Sequence, residues 1–311
     1  MVWVPFIAGI ACFVLFVLHE MRARHPMLDL GLFKIRNFAV ANLTTLSTYA
    51  GLIGGLFFVG LFLQQVAGYS PLEAGLATTP ISLILFFLSP RWGRMASGTG
   101  PRLPMTLGPV VGGLGLLLML RIGSNADYVT DVLPAILIFG LGLSATVAPL
   151  TATVLDSVEE RHVGIASGVN NGISRVAGLL AIAVLGAVIS AYFGSTLDSN
   201  LGDRPLGPRA EHTISDAKAQ PLAVPKTGKL PPAQATLVST ASADASTSAF
   251  HLGIGIAGVL MIIGGAVSGV GIENPKRKVE AIASRGSAQA GECGHGADAD
   301  SREGDPAAEP A

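Results

Sequence analysis

Hydrophobic positions gather into seven long runs: Val2 to Leu18, Phe38 to Leu63, Leu72 to Ser89, Leu103 to Leu120, Val132 to Leu155, Val163 to Tyr192 and Phe250 to Ile272. A helix that crosses a bilayer needs about 20 mostly apolar residues, so these runs predict about seven transmembrane helices, the first and third of them short. Polar or Gly/Pro-containing segments separate the runs, which fits helices and not the strict alternation of an outer-membrane barrel. The fold class read from this pattern is all-α and integral to the membrane. It predicts six transmembrane helices over 1–192, a disordered external loop over 193–249, a last transmembrane helix over 250–272 and a disordered cytoplasmic tail over 273–311. The loop and tail predictions rest on composition, since both segments are poor in large apolar residues.

Composition narrows the class. Half of the 311 residues are hydrophobic and 13% are charged, against about 25% charge in soluble domains. Mean hydropathy is +0.56, and there are 39 glycines, a residue more frequent in membrane helices than in soluble ones. A net charge of -1 argues against a nucleic-acid surface. Cys12 and Cys293 make neither a disulfide framework nor a metal site. No basic segment precedes the first apolar run, so no secretory signal is expected. Short-loop positive charge marks the cytoplasmic side. Arg22, Arg24, Lys34, Arg36, Arg91, Arg94, Arg102 and Arg161 follow the odd-numbered spans, whereas only Arg121 follows an even-numbered one before the long 193–249 segment. Lys276, Arg277 and Lys278 then place the tail with the larger group. The expected orientation is N-terminus outside and C-terminus cytoplasmic, in a cell membrane crossed several times.

The sixth run carries the sharpest chemical anomaly. GIASGVNNGISRVAGLLAIAVLGAVIS is apolar enough for lipid, yet holds Asn170, Asn171, Ser174 and Arg175. At about 100° per residue these groups, with Ser167 and Gly178, fall within an arc of roughly 140°. Gly164, Gly168 and Gly172 run beside that arc at a spacing that suits close approach of another helix. An ionisable group inside a membrane is costly and normally faces a bundle interior or a water-filled cavity. Arg175 lies roughly 16 Å from the helix start, deep for easy snorkelling. Three readings stay open: bonding from helix to helix, lining a substrate cavity, or an accidental lipid-facing position. The second run adds Asn42, Thr45 and Tyr49 as cavity candidates, with Thr44, Ser47 and Thr48 among them. Hydroxyls in membrane helices commonly bond their own backbone, which competes with that role. Pro80 and Pro149 sit within the third and fifth runs, where each removes a backbone donor and can break a helix locally. No phosphate loop, metal-spaced His/Cys cluster or nucleophile elbow is present, so no enzyme activity, metal or cofactor is expected. No Asp or Glu lies firmly inside a run.

At these residues the chain resembles the major facilitator superfamily, specifically the fourteen-span drug:proton antiporters. PMLDLGLFKIRNFAVANL resembles the entry to that family's ninth span, and LFLQQVAGYSPLEAGLATTP its ninth-to-tenth connection. GLGLSATVAPLTATVLDSVEERHVGIASGVNNGISRVAG is similar to its twelfth and thirteenth spans, and STSAFHLGIGIAG to the start of its last. The resemblance implies a helical transporter working by alternating access, with export of small amphipathic compounds driven by the proton gradient. Asn171 and Arg175 match polar positions of the thirteenth span, which favours the cavity reading.

Two departures accompany the resemblance. The family's basic cytoplasmic loop corresponds here to GRMASGTGPR, which keeps Gly93, Arg94, Gly100, Pro101 and Arg102 but has Ser97 and Gly98 where an acid and a base are expected. LGPVVGGLG, Leu107 to Gly115, imitates an antiporter motif of the other half and reads as a chance feature of a glycine-rich helix. The runs align with spans eight to fourteen, so the resemblance implies the C-terminal half of a transporter. Its N-terminal partner half, with the usual proton-binding acid, is then supplied from outside this sequence. The alternatives are a non-transporting remnant or an accessory membrane protein packed on a full-length relative, with a homodimer as a third.

Overall fold

The computed structural model describes residues 3–22, 30–124, 126–202, 206–220, 222–223, 225, 227–228 and 230–274. Eight α-helices account for most of them: α1 Trp3–Arg22, α2 Arg36–Gln65, α3 Pro71–Thr99, α4 Arg102–Leu118, α5 Leu133–Asp156, α6 Val163–Leu201, α7 Pro208–Ala219 and α8 Pro232–Gly271. Six of the segments they occupy are long and apolar enough to cross a membrane: those of α2, α3, α4, α5, α6 and α8. Together with the all-helical content this makes the chain a multi-pass membrane protein. The first expected span is also a helix, although its apolar stretch is shorter and its described side chains, Glu20 apart, are turned outward. The tail prediction, from residue 275 on, lies outside the described residues, as does Arg24.

The six long helices pack in a chain of neighbours. Helix α5 lies between α3 and α4, α8 between α4 and α2, and α6 rests on α2 and α8. Thus α3 and α6 are the two flanks, each covered on one side. Glycine sets how close the central helices come. A Cβ on Gly142 of α5 would collide with the backbone of Gly112 in α4, and one on Gly115 with the backbone of Phe139 in α5. On the other side of α4, a Cβ on Gly113 would stand 2.6 Å from the Gly258 carbonyl oxygen of α8. Backbone cannot retreat as a side-chain tip can, so these crossings admit only glycine. The glycines of LGPVVGGLG are therefore packing residues of α4, not a chance enrichment.

The 193–249 segment differs most from expectation. Instead of a disordered loop it continues α6 to Leu201, forms α7, and starts α8 at Pro232. Helix α6 has 39 residues and α8 has 40, so each is about 60 Å long at 1.5 Å per residue, roughly twice a bilayer core. Their ends project beyond the membrane-length part and enclose α7. Phe193, Leu197 and Leu201 recur every four residues on α6 and meet Ile214 and Ala217 of α7 and Val238, Ala241, Ala245 and Ala249 of α8. Alanine is the best helix former, and its small side chain lets helices approach, so few large apolar residues suffice. Lys218 adds an ion pair to Asp198 at 2.5 Å.

The opposite end is held by arginines. Arg36, at the start of α2, bonds through Nε to the Gly271 carbonyl oxygen at 3.0 Å and pairs with Glu273 at 2.7 Å. Arg102, at the start of α4, donates from Nε to the Gly269 oxygen at 2.6 Å. The terminal carbonyls of α8, which lack partners within their own helix, are thereby satisfied by cations that also suit the negative end of its dipole.

Candidate functional site: the flank of α6

Polar residues of α2 divide between two neighbours. Thr44 meets Ser268 of α8 at 2.7 Å, Ser47 donates to the Leu260 oxygen at 2.6 Å, and Thr48 is buried against Gly264. Thr44 and Ser47 bond α2 to α8, and Thr48 packs against it. Asn42 and Thr45 lie on the other side. Thr45 donates to the Ala41 oxygen at 3.0 Å, and its hydroxyl accepts from Nδ2 of Asn170 on α6 at 3.3 Å. Asn42 is fully buried, donates to the Phe38 oxygen at 2.9 Å, and leaves its Oδ1 without a hydrogen-bond partner among the described residues. Tyr49, one turn beyond Thr45, is half-buried and packs against the apolar cluster around Phe38, Met105, Leu150 and Ala166.

Helix α6 likewise sorts its polar groups. Asn170 and Ser174 turn toward the bundle; Ser174 is buried and donates to the Asn171 oxygen at 2.9 Å. Asn171 and Arg175 turn out. Asn171 donates only to the Ser167 oxygen of its own helix, at 3.1 Å. Arg175 makes no hydrogen bond or ion pair with any described residue and is exposed. Leu179, one turn on along the same face, and Val176, next in sequence, are both more than half exposed. A guanidinium thus lies beside Asn171 on an open face, about three turns into a membrane-length helix.

The candidates accordingly form two groups. Thr45 and Asn170 form a seam bond between α2 and α6, while the buried Asn42 and Ser174 bond within their own helices and Tyr49 lies beside them. Asn171 and Arg175 occupy the open flank, where cavity lining remains available. The Gly164, Gly168 and Gly172 row differs from expectation: nothing stands within 4 Å of a Cβ at any of the three. The close approach on α6 is made instead by Gly178, whose Cβ would meet Ile53.

The expected cytoplasmic loop is also rearranged. Gly93 and Arg94 belong to α3, which continues unbroken through Pro80 and Pro90 to Thr99. Only Gly100 and Pro101 form the turn. Gly100 adopts φ +96°, a conformation that side chains rarely tolerate, and its N–H closes the helix on the Ala96 oxygen. Arg102 begins α4 and clamps α8 as described, a role visible in sequence only once the partner helix is known.

With this geometry in view, comparison with known proteins is decisive for the family. The model of the Major Facilitator Superfamily matches residues 1–182. The chain belongs to the major facilitator superfamily. Among its relatives, the "Multidrug efflux pump LfrA" of Mycolicibacterium smegmatis is 32% identical over 270 residues, covering 85% of this chain and 51% of the relative. The "Multidrug resistance protein Stp" of Mycobacterium tuberculosis is 30% identical over 209 residues, covering 67% and 38%. The "Tetracenomycin C resistance and export protein" of Streptomyces glaucescens is 28% identical over 264 residues, covering 84% and 49%. This major facilitator chain spans about half the length, or less, of these relatives.

Proposed function

We propose that this chain forms the C-terminal half of an exporter of small amphipathic compounds, with the open flank of α6 as one wall of the substrate path. The observation that carries this reading is Arg175, exposed beside Asn171 while the neighbouring seam polar groups are absorbed in packing. A cation at that depth is costly against lipid, so the flank calls for water, an anionic or polar substrate group, or a complementary helix. The names of the relatives, drug resistance and export, support the same activity. Alternating access requires a second wall, which in this reading is an N-terminal half.

Energy would come from the proton gradient. No Asp or Glu lies deep within an apolar run of this chain, Asp244 of α8 falling in its projecting part, so the titrating acid belongs to the complementary half. The end that gathers Arg36, Arg94, Arg102 and Arg161 is cytoplasmic by the positive-inside rule, which puts the α6–α7–α8 projection outside.

The test is ethidium retention in cells lacking their own pumps, with this chain expressed alone or beside an N-terminal half of a relative. Efflux that needs both, and disappears with Arg175→Ala at unchanged expression, is the expected result. No efflux in either arrangement would sink the transporter reading and favour an accessory or remnant protein.

A further inference from the structure

At the end of the bundle opposite the arginine clamp, the α2–α3 turn and the entry to α5 surround a cavity of 390 Å³. Its volume falls in the range that holds small organic ligands. Tyr69, Glu73, Leu76, Ala77 and Tyr128 line it. The two tyrosines are fixed by reciprocal bonds across the cleft: Tyr69 donates to the Ala126 oxygen at 3.3 Å, and Tyr128 to the Ala77 oxygen at 3.4 Å. With both hydroxyls engaged, the rings are held in place beside apolar Leu76 and Ala77.

The charged side chains acting on Tyr69 have one sign. Glu73 is exposed and bonds the Ser70 N–H at 2.8 Å, closing a capping box that fixes its carboxylate at the start of α3. Asp127 caps the wide turn before α5, accepting from the N–H groups of Val129 and Thr130. Burial raises the Tyr69 pKa, and the nearby Asp127, Glu73 and Asp131 push it further in the same direction. The charged side chains acting on Tyr69 are thus all acidic.

We propose that this cavity binds a small lipophilic cation, its apolar body between Tyr69, Tyr128 and Leu76 and its charge opposite Glu73. Aromatic faces attract cations through their quadrupole, and the carboxylate supplies long-range attraction and charge selectivity. The site is separate from the α6 flank, whose only charge is positive, and does not depend on that flank conducting substrate.

Isothermal titration of the full chain in detergent with tetraphenylphosphonium, and with tetraphenylborate as an anion of the same shape, tests the site. Saturable one-to-one binding of the phosphonium is expected, at least about tenfold tighter than the borate. Glu73→Gln, which keeps the capping box, should remove most of that preference, and Tyr128→Leu should weaken phosphonium binding about tenfold. Equal or tighter borate binding, no saturable binding, or phosphonium binding indifferent to Glu73→Gln would each overturn the proposal. Because Glu73 is exposed, its variant keeps the test valid even if Tyr128→Leu fails to fold.

Discussion

The centre and the flanks of the bundle are built to different standards. Along α5, 61% of the most apolar stretch is buried, whereas along α3 the figure is 17%. Where α4, α5 and α8 cross, glycines bring backbone against backbone. On the flank of α6, three glycines at four-residue spacing face open space, and Arg175 stands among exposed Val176, Leu179 and Leu180. The same residue type therefore means contact in one region and access in the other. Spacing alone does not distinguish them; the distinction comes from what the opposing helix offers at the same level. Gly112 finds α5 and Met261 of α8, while Gly168 finds nothing.

That contrast can be broken most forcefully at Gly142. Gly142→Leu should abolish recovery of monodisperse protein in size-exclusion chromatography, because the added side chain meets the Gly112 backbone and cannot be relieved by a rotamer change. Gly168→Leu should leave folding intact, and if it instead collapses the protein, the flank is a packed surface. Transport is the next largest effect. Arg175→Ala should reduce ethidium efflux at least tenfold in the complete assembly without lowering expression, whereas Arg175→Lys should retain a measurable part.

Smaller effects sharpen the seam. Thr45→Val removes the acceptor of the Asn170 amide and should cost about 1 kcal/mol in a reversible denaturation assay, with efflux preserved. Gly168→Ala should be neutral to slightly stabilising, by up to about 1 kcal/mol, since alanine is the better helix former where space is free. Glu273→Gln should be the mildest, at most about 1 kcal/mol and diminished by salt, because the Arg36–Glu273 pair is solvent-exposed.

Much of the fold was legible in the hydrophobic pattern. Helices α2 to α6 and α8 cover the expected runs, because about 20 apolar residues bounded by polar or Gly/Pro segments admit few other solutions in lipid. The projection was not legible. Its core is alanine at every third or fourth position, Ala241, Ala245 and Ala249, and a reading weighted toward large apolar residues passes over it. The stripe on α8 in fact runs on from Val238 through Gly253 and Ala257 to Ser268 without a break. A helical period of small residues was the signal available. Prolines misled in the same direction. Pro80 and Pro149 suggested interruption, yet α3 and α5 pass through them.

Of the candidate site, the polar arc on α6 was legible and its division was not. Asn170 and Asn171 are adjacent in sequence but about 100° apart on the helix, enough to send one to Thr45 and the other to the open face. The partners of Thr44 and Thr48 were within reach, since Gly264 and Ser268 repeat their four-residue spacing on α8. Pairing across 224 residues between Thr44 and Ser268 still required the helix order. The acid-lined cavity at Tyr69 was hidden for the same reason, being assembled from the α2–α3 turn and the start of α5.

The central claim, that the α6 flank at Asn171 and Arg175 borders an aqueous path, is tested most directly by thiol labelling. In a Cys12→Ser, Cys293→Ser background, Asn171→Cys in intact membranes should react with a membrane-impermeant maleimide, and ethidium should slow the reaction. Reaction only with a lipid-soluble maleimide, unaffected by ethidium, would place this face against lipid and contradict the account.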